Sequence, residues 1–342
     1  MKINRALSFD DVLLVPEYSE IESRKSIDLS VSLERTGTSL NIPIVAAPMD
    51  SITESKMVIA TDSVGGLGII HRYGSIDEQE QMVHACYTAN AANIGAAVGV
   101  TGDYRERAER VAKAGANFIC VDVAHGHHSL MKECLKNLRS DLGKDVHIMA
   151  GNVATIKGFN DLSDWGADSV RVGIGGGSIC STRLQTGHGV PTLQSVFDCA
   201  ASDRDALLIA DGGIKNSGDM VKALAAGADL LMCGSLLSGT DETPGQIIRA
   251  ADGRKRKVYR GMASREAQKS WRNSVGSVEG IATTVDAKGP VKDVLLDLAW
   301  GIKSGLSYSG AINIKDFRAK ARLIEQTPAG AKESNTHILS VN

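Results

Sequence analysis

From about residue 42 onward the chain alternates short runs of apolar and β-branched residues with longer amphipathic stretches. The short runs fall at 42–47, 66–71, 94–100, 118–124, 147–151, 169–173, 207–211 and 229–234, and each ends in small or polar residues. The stretches between them have helical periodicity: within 103–114, Val111 and the alanines share one face while Arg105, Glu106, Glu109 and Arg110 share the other. Residues 215–226 repeat the pattern. Such alternation predicts βα units on a parallel sheet, and eight units with short connections predict a closed (β/α)8 TIM barrel. An open, doubly wound sheet is the alternative. Residues 1–342 are read as one barrel domain.

Outside the repeat, residues 10–16 read as a short strand or turn, and 290–307 as an amphipathic helix with Val294, Leu295, Leu298 and Ile302 on one stripe. Between them, 262–289 has weak apolar periodicity and many small residues, which predicts a mobile flap. The basic run Lys255-Arg256-Lys257 just before it reads as a solvated face. From about 327 the chain turns polar and Gly/Ala-rich, the pattern of a flexible tail.

Composition narrows the class. With 43% hydrophobic residues and a formal net charge of −2, the chain has enough apolar sequence for a large core. It lacks the basic excess that nucleic acid or an anionic membrane surface would require. Six cysteines show no CxxC pairing, which argues against a zinc site or a disulfide framework and fits a reducing cytoplasm. The first residues lack a signal-peptide apolar core, and no 18 apolar residues run together.

In a barrel, chemistry sits at the C-terminal ends of the strands. Those ends carry Ala47-Pro48-Met49-Asp50-Ser51, Asp122-Val123-Ala124-His125-Gly126-His127-His128 and Ala150-Gly151-Asn152. The later ones carry Ala210-Asp211-Gly212-Gly213-Ile214 and Cys233-Gly234-Ser235. Most distinctive is Gly173-Ile174-Gly175-Gly176-Gly177-Ser178-Ile179-Cys180-Ser181-Thr182-Arg183, where glycines allow a close backbone approach and present a thiol. Cys180 is either a nucleophile or a buried structural cysteine. The Asp-Gly-Gly and Gly-Ser turns before helices suit a phosphate, with Ser178 and Ser235 as hydroxyl donors; otherwise they only permit tight turns. Asp122 reads as a hydrogen-bonding group for a polar ligand ring or amide. His125, His127 and His128 lack the spacing of ligands on one helical face, so no metal is assigned to them.

Together these motifs resemble the family of IMP dehydrogenases and GMP reductases. The resemblance rests on Leu7 to Pro16, Ala47-Pro48-Met49-Asp50, Asp122 to His127, Ala150 to Thr155, Gly173 to Arg183, Ala210 to Ile214 and Tyr259-Arg260-Gly261-Met262. It implies a nucleotide chemistry at purine C2, with Cys180 attacking and a hydride exchanged with a nicotinamide. Implied for substrate are Met49, Ser178, Gly212, Gly213, Gly234, Ser235, Tyr259, Gly261 and Met262, with Asp211 on the ribose. Asp122, Ala124 and Asn152 are implied for the cofactor. The carbonyls of Gly175, Gly177 and Cys180 are implied for a potassium ion, and a homotetramer for the assembly.

Two departures from the dehydrogenase pattern point to the reductase. Only about two dozen residues separate His71 from Ala96, which leaves no room for inserted regulatory domains. Only 19 residues separate Tyr259 from Glu279, and 264–278 holds Trp271-Arg272 but no Arg-Tyr pair of the kind dehydrogenases use to activate water. Leu7 to Pro16 and the 66–71 run lean the other way, toward the dehydrogenase branch. The expected activity is NADPH-dependent reductive deamination of GMP to IMP, with Thr182 and Glu279 relaying protons to departing ammonia. Alternatives are an IMP dehydrogenase without regulatory domains, a non-catalytic purine nucleotide sensor, and a flavin-dependent barrel oxidoreductase.

Overall fold

The computed structural model describes residues 3–33, 36–272 and 275–334. Eight parallel strands close into a barrel: β1 (Ile44–Ala46), β2 (Leu67–Ile70), β3 (Ile94–Val98), β4 (Phe118–Asp122), β5 (His147–Val153), β6 (Ser169–Val172), β7 (Leu207–Asp211) and β8 (Leu230–Cys233). The ring shuts where Leu231 of β8 lies opposite Ile44 of β1. All eight expected strands are therefore present in the expected order, and the open-sheet alternative falls. Parallel strands covered by helices are buried on both faces, which is why they read as unbroken apolar runs rather than alternating ones; Ile94 to Val98, for instance, is buried throughout.

The helices start where the sequence supplies caps. Ser75 and Glu78 form a reciprocal capping box at Ile76–Thr88, and Thr155 and Asn216 accept backbone N–H bonds at the helices beginning Ile156 and Ser217. Helix Val291–Tyr308 buries Leu295, Leu298, Ile302 and Leu306 on one stripe, as its periodicity predicts, and packs on helices Ser55–Asp62 and Ser217–Ala225. Val12–Leu14 does form a short strand, paired antiparallel with Leu323–Glu325 near the far end of the chain.

Outside the barrel, the flap and the start of the tail contain regular elements, and one expectation, the solvated basic run, needs correction. The segment read as a mobile flap is built on a hairpin, β9 (Lys255–Arg260) against β10 (Ala282–Asp286), with helix Arg265–Arg272 between them. The solvated reading of the basic run fails at Lys257, which is only 4% exposed: strand alternation turns Lys257 and Tyr259 inward and Val258 outward. The tail starts not as loose chain but with helix Pro328–Glu333, capped by Thr327. Residues 335–342 lie outside the described residues. Among the described residues, no helix is long and apolar enough to cross a membrane.

Ile302 is fully buried at the centre of the packing of helix Val291–Tyr308. Replacing it by Ala should cost about 2–5 kcal/mol, the range for a large core aliphatic residue. In urea unfolding this is expected as a lower midpoint at unchanged slope.

Candidate active site

The C-terminal ends of strands β4 to β7 are knitted together by one buried cation. Arg171 on β6 donates from Nη1 to Asp122 Oδ1 at 2.6 Å, and from Nη2 and Nε to Asp211 Oδ2 at 2.9 and 3.1 Å. Its side chain is 8% exposed, and an unpaired guanidinium would be prohibitively costly there. Burial alone would lower its pKa, but Asp211, Cys120 and Asp122 hold it well above the ordinary value. Burial likewise pushes Asp122 up, yet Arg171 and Arg72 hold it below the usual carboxylate range. Asn152, at the end of β5, spends both donors on this framework, one to Gly173 O at 2.8 Å and one to Asp211 Oδ2 at 2.7 Å. Its Oδ1 remains as an acceptor.

The glycine loop leaves this framework and folds back on the Asp-Gly-Gly turn. A Cβ on Gly173 would meet Asp211 O at 2.0 Å, and one on Gly212 would meet Gly177 N at 3.0 Å, so side chains are excluded where the two segments touch. At the end of the loop Cys180 is exposed, unlike the other five cysteines. Its Sγ donates to Thr182 Oγ1 at 3.1 Å, and Thr182 Oγ1 donates to Glu279 Oε2 at 2.8 Å. Glu279 arrives from the flap, where the chain pairs with the loop through Ser181 N to Glu279 O and Ile281 N to Ile179 O, at 2.9 and 3.1 Å. A thiol, a hydroxyl and a carboxylate thus form one directional proton path.

A second latch holds the base of the flap. Arg260 donates to both oxygens of Asp50, with the shortest contact at 2.5 Å, and its backbone exchanges hydrogen bonds with Ser51 Oγ at 3.2 and 3.3 Å. Tyr259 Oη lies 3.3 Å from Ser178 Oγ, and burial raises its pKa despite that partner. A Cβ on Gly234 would sit 3.2 Å from Met49 Sδ and 3.3 Å from Tyr259 Oη, so the turn after β8 is pressed against both.

These segments enclose a cavity of about 530 Å³. Met49, Asp122, Ala124, Asn152, Gly175, Gly177, Cys180, Thr182, Asp211, Gly212, Tyr259, Gly261, Met262 and Glu279 line it, so most of the sequence-predicted residues converge on one mouth. Ser178 is exposed beside Tyr259, Gly234 packs against Met49 and Tyr259 with Ser235 next in the chain, and Gly213 packs near Gly176 O. Asp122 needs correction: its carboxylate is engaged by Arg171, by Tyr73 Oη at 3.3 Å and by Arg72 at 4.0 Å, so it orients the wall rather than offering a free acceptor. The histidines also have structural roles. His127 pairs with Asp161 at 2.7 Å, and His128 Nδ1 accepts Leu130 N–H at 3.1 Å to cap a helix. Among the described residues no group of three or more His, Cys, Asp or Glu is placed to hold a metal.

Sequence reasoning missed Arg171, Arg72, Tyr73 and Trp271. Arg72 stacks over the rings of Tyr73 and Trp271, at 5.0 and 5.7 Å, and all three line the cavity. The signal for Arg171 was available: one arginine inside an apolar parallel strand must face a carboxylate.

Comparison with known proteins agrees with the geometry. Residues 6–337 match the model of the IMP dehydrogenase / GMP reductase domain. The inosine-5'-monophosphate dehydrogenase of Nitrosopumilus maritimus is 34% identical, over 98% of this chain and 99% of its own length. That alignment runs over 474 positions, more than the 342 residues of this chain. The GMP reductase of Leishmania major is 32% identical, over 98% of this chain and 97% of its own. Among solved structures, an alanine-for-cysteine variant of Trypanosoma brucei GMP reductase in complex with guanosine 5'-monophosphate superposes with a TM-score of 0.92 at 30% identity, over 98% of both chains.

Replacing Arg171 by Met strands buried carboxylates and should cost about 3–5 kcal/mol at neutral pH. Asp122, with its folded pKa depressed, contributes stability that is present above its unfolded value of roughly 3.9 and lost as pH falls through the folded value. Without Arg171, burial dominates and the carboxylate is better neutral. The gap between wild type and variant in urea midpoints should therefore be widest near neutrality and narrow as pH is lowered toward about 4.

Proposed function

The chain belongs to the IMP dehydrogenase / GMP reductase family of oxidoreductases, and from that premise we propose that it is a GMP reductase, converting GMP to IMP and ammonia with NADPH. The observation that carries this reading is the hydrogen-bonded path from Cys180 through Thr182 to Glu279. A carboxylate at the end of such a path can take the thiol proton and return it to a leaving amine.

The residues support the following sequence. The phosphate of GMP rests on the turns at Gly212-Gly213 and Gly234-Ser235, with the hydroxyls of Ser178 and Tyr259, and a ribose hydroxyl bonds Asp211. Met49, Gly261 and Met262 bound the base. Glu279 draws the proton of Cys180 through Thr182, and the thiolate adds to purine C2, forming a carbon–sulfur bond. The same path then protonates the exocyclic amine, which leaves as ammonia, and the product is a thioimidate on Cys180. A bound nicotinamide would supply the hydride that C2 needs, and Cys180 would then leave as thiolate as the carbon–sulfur bond breaks and IMP is released. Asn152 Oδ1 is suited to the carboxamide N–H, Ala124 offers a side chain too small to block the ring, and Asp122 fixes the wall through Arg171 and Tyr73. A potassium ion would be held by the carbonyls of Gly175, Gly177 and Cys180; the loop offers neutral oxygens there, and Gly177 O already accepts Cys180 N–H at 3.1 Å.

IMP dehydrogenase activity is the second reading, favoured by the name of the Nitrosopumilus maritimus relative. The two are separated by one pair of assays. GMP with NADPH should bleach the nicotinamide absorbance, whereas NAD reduction by IMP without GMP turnover would reverse the assignment. Cys180→Ala should abolish turnover in either direction, and loss of nothing would favour the sensor. Thr182→Val, which breaks the proton path while keeping the shape, should lower kcat by about 10²-fold or more with KM for GMP little changed.

A further inference from the structure

Lys257 is the most deeply buried lysine of the chain's basic run, yet among the described residues no carboxylate meets it. Its Nζ donates to the carbonyls of Thr243, Thr240 and Asp241 at 2.7, 3.0 and 3.0 Å, with Thr243 Oγ1 at 3.2 Å. An ammonium has only three protons to give, so this cage satisfies it completely. Removing such a charge from water for carbonyls alone is costly unless its position matters.

The cage belongs to the segment that follows β8. From Gly234 to Thr243 that segment is a stack of tight turns whose own hydroxyls cap its carbonyls: Ser238 Oγ to Ser235 O at 2.7 Å, Thr240 Oγ1 to Leu237 O at 2.9 Å, and Thr243 Oγ1 to Thr240 O at 2.7 Å. A second lysine grips it from the other leg of the flap. Lys288, just beyond β10, donates from Nζ to Ser235 O at 3.1 Å and Leu236 O at 3.0 Å, and from its backbone to Gly239 O at 2.9 Å. Both legs of the flap hairpin therefore hold carbonyls of this one segment, Lys288 those of its first half and Lys257 those of its second. Two residues beyond Lys257, on the same face of β9, Tyr259 places its Oη 3.3 Å from Ser178 Oγ and close against Gly234 of the turn after β8.

We propose that Lys257 and Lys288 form a clasp that positions the nucleotide phosphate, setting the register of β9 so that Tyr259 meets Ser178 and the turn at Gly234-Ser235, and tying the segment that carries this turn to the flap. The inference rests on the nucleotide reading above. Neither lysine touches substrate; both act through Tyr259 and the turn at Gly234-Ser235.

Calorimetric titration of the full-length protein with IMP and with inosine tests the clasp, because the two differ only in the phosphate and IMP is a ligand on either enzymatic reading. Lys257→Met should weaken IMP about tenfold, leave inosine within about twofold, and make a further Tyr259→Phe nearly silent. Equal losses for IMP and inosine, or additive losses in the double variant, would overturn it, since a merely structural lysine predicts both. Lys288→Met removes the second grip from an exposed position that folding tolerates. It should weaken IMP about threefold with inosine unchanged, and an unaltered IMP affinity would count against the clasp even if Lys257→Met proved insoluble. Wild-type protein that binds IMP no more tightly than inosine would instead refute the nucleotide reading, and the clasp with it.

Discussion

A single buried guanidinium sets the geometry of the barrel mouth. Arg171 cannot remain in the interior without counter-charges, and the two that it has, Asp122 and Asp211, stand at the ends of β4 and β7. Those two strands flank β5 and β6 in the ring, so one side chain ties the C-terminal ends of β4, β6 and β7. Asn152 adds the fifth strand's end to the same network and holds Gly173, where the glycine loop departs. The loop that carries the thiol thus starts from a fixed point. Beneath the guanidinium, Cys120 illustrates the contrast between two cysteines: burial pushes its thiol up to about 12, while Cys180 stands exposed at the loop's end beside a hydroxyl.

The flap completes what the barrel starts. Glu279 is supplied to Thr182 only because 279–281 pairs with 179–181, and that pairing depends on a hairpin latched by Arg260 to Asp50 and gripped by two lysines. Helix Arg265–Arg272 then lays Trp271 edge-on against Tyr73 at 5.1 Å, closing the cavity on the side away from the thiol.

The barrel was legible in the sequence because covered parallel strands leave apolar runs, and short apolar runs between amphipathic stretches fit few folds besides one built of βα units. The site was legible where chemistry demands unusual residues: Cys180 among glycines, Asp211 before two glycines, Tyr259 before Arg260. It was illegible where a charged side chain does structural work inside the fold. Lys257 looked like a surface residue, and strand parity, which turns it inward, could be applied only once β9 was placed; Arg171 stood in a strand already placed, but its partners Asp122 and Asp211 come from other strands. The same blindness made a latched hairpin look like a loose lid, since its stability comes from contacts distant in sequence, at Asp50 and Cys180, as well as from its own pattern.

The direction of the proton path bears on what leaves the purine. Cys180 donates to Thr182 and Thr182 to Glu279, so the acceptor at the far end is a carboxylate and the middle member is a hydroxyl that can pass a proton either way. On the reductase reading such a relay acts as a base in its first use and as an acid in its second: having taken the thiol proton, Glu279 holds one to give. A departing amine needs that proton, because an amide ion is far too basic to leave unassisted. An attacking water needs the opposite, a base that is still empty after the thiolate has formed. The flap sequence from 264 to 278 brings no Arg-Tyr pair to serve as that base, so on the reductase reading one relay is enough for both proton transfers, and the hydroxyl of Thr182 is where the two are coupled.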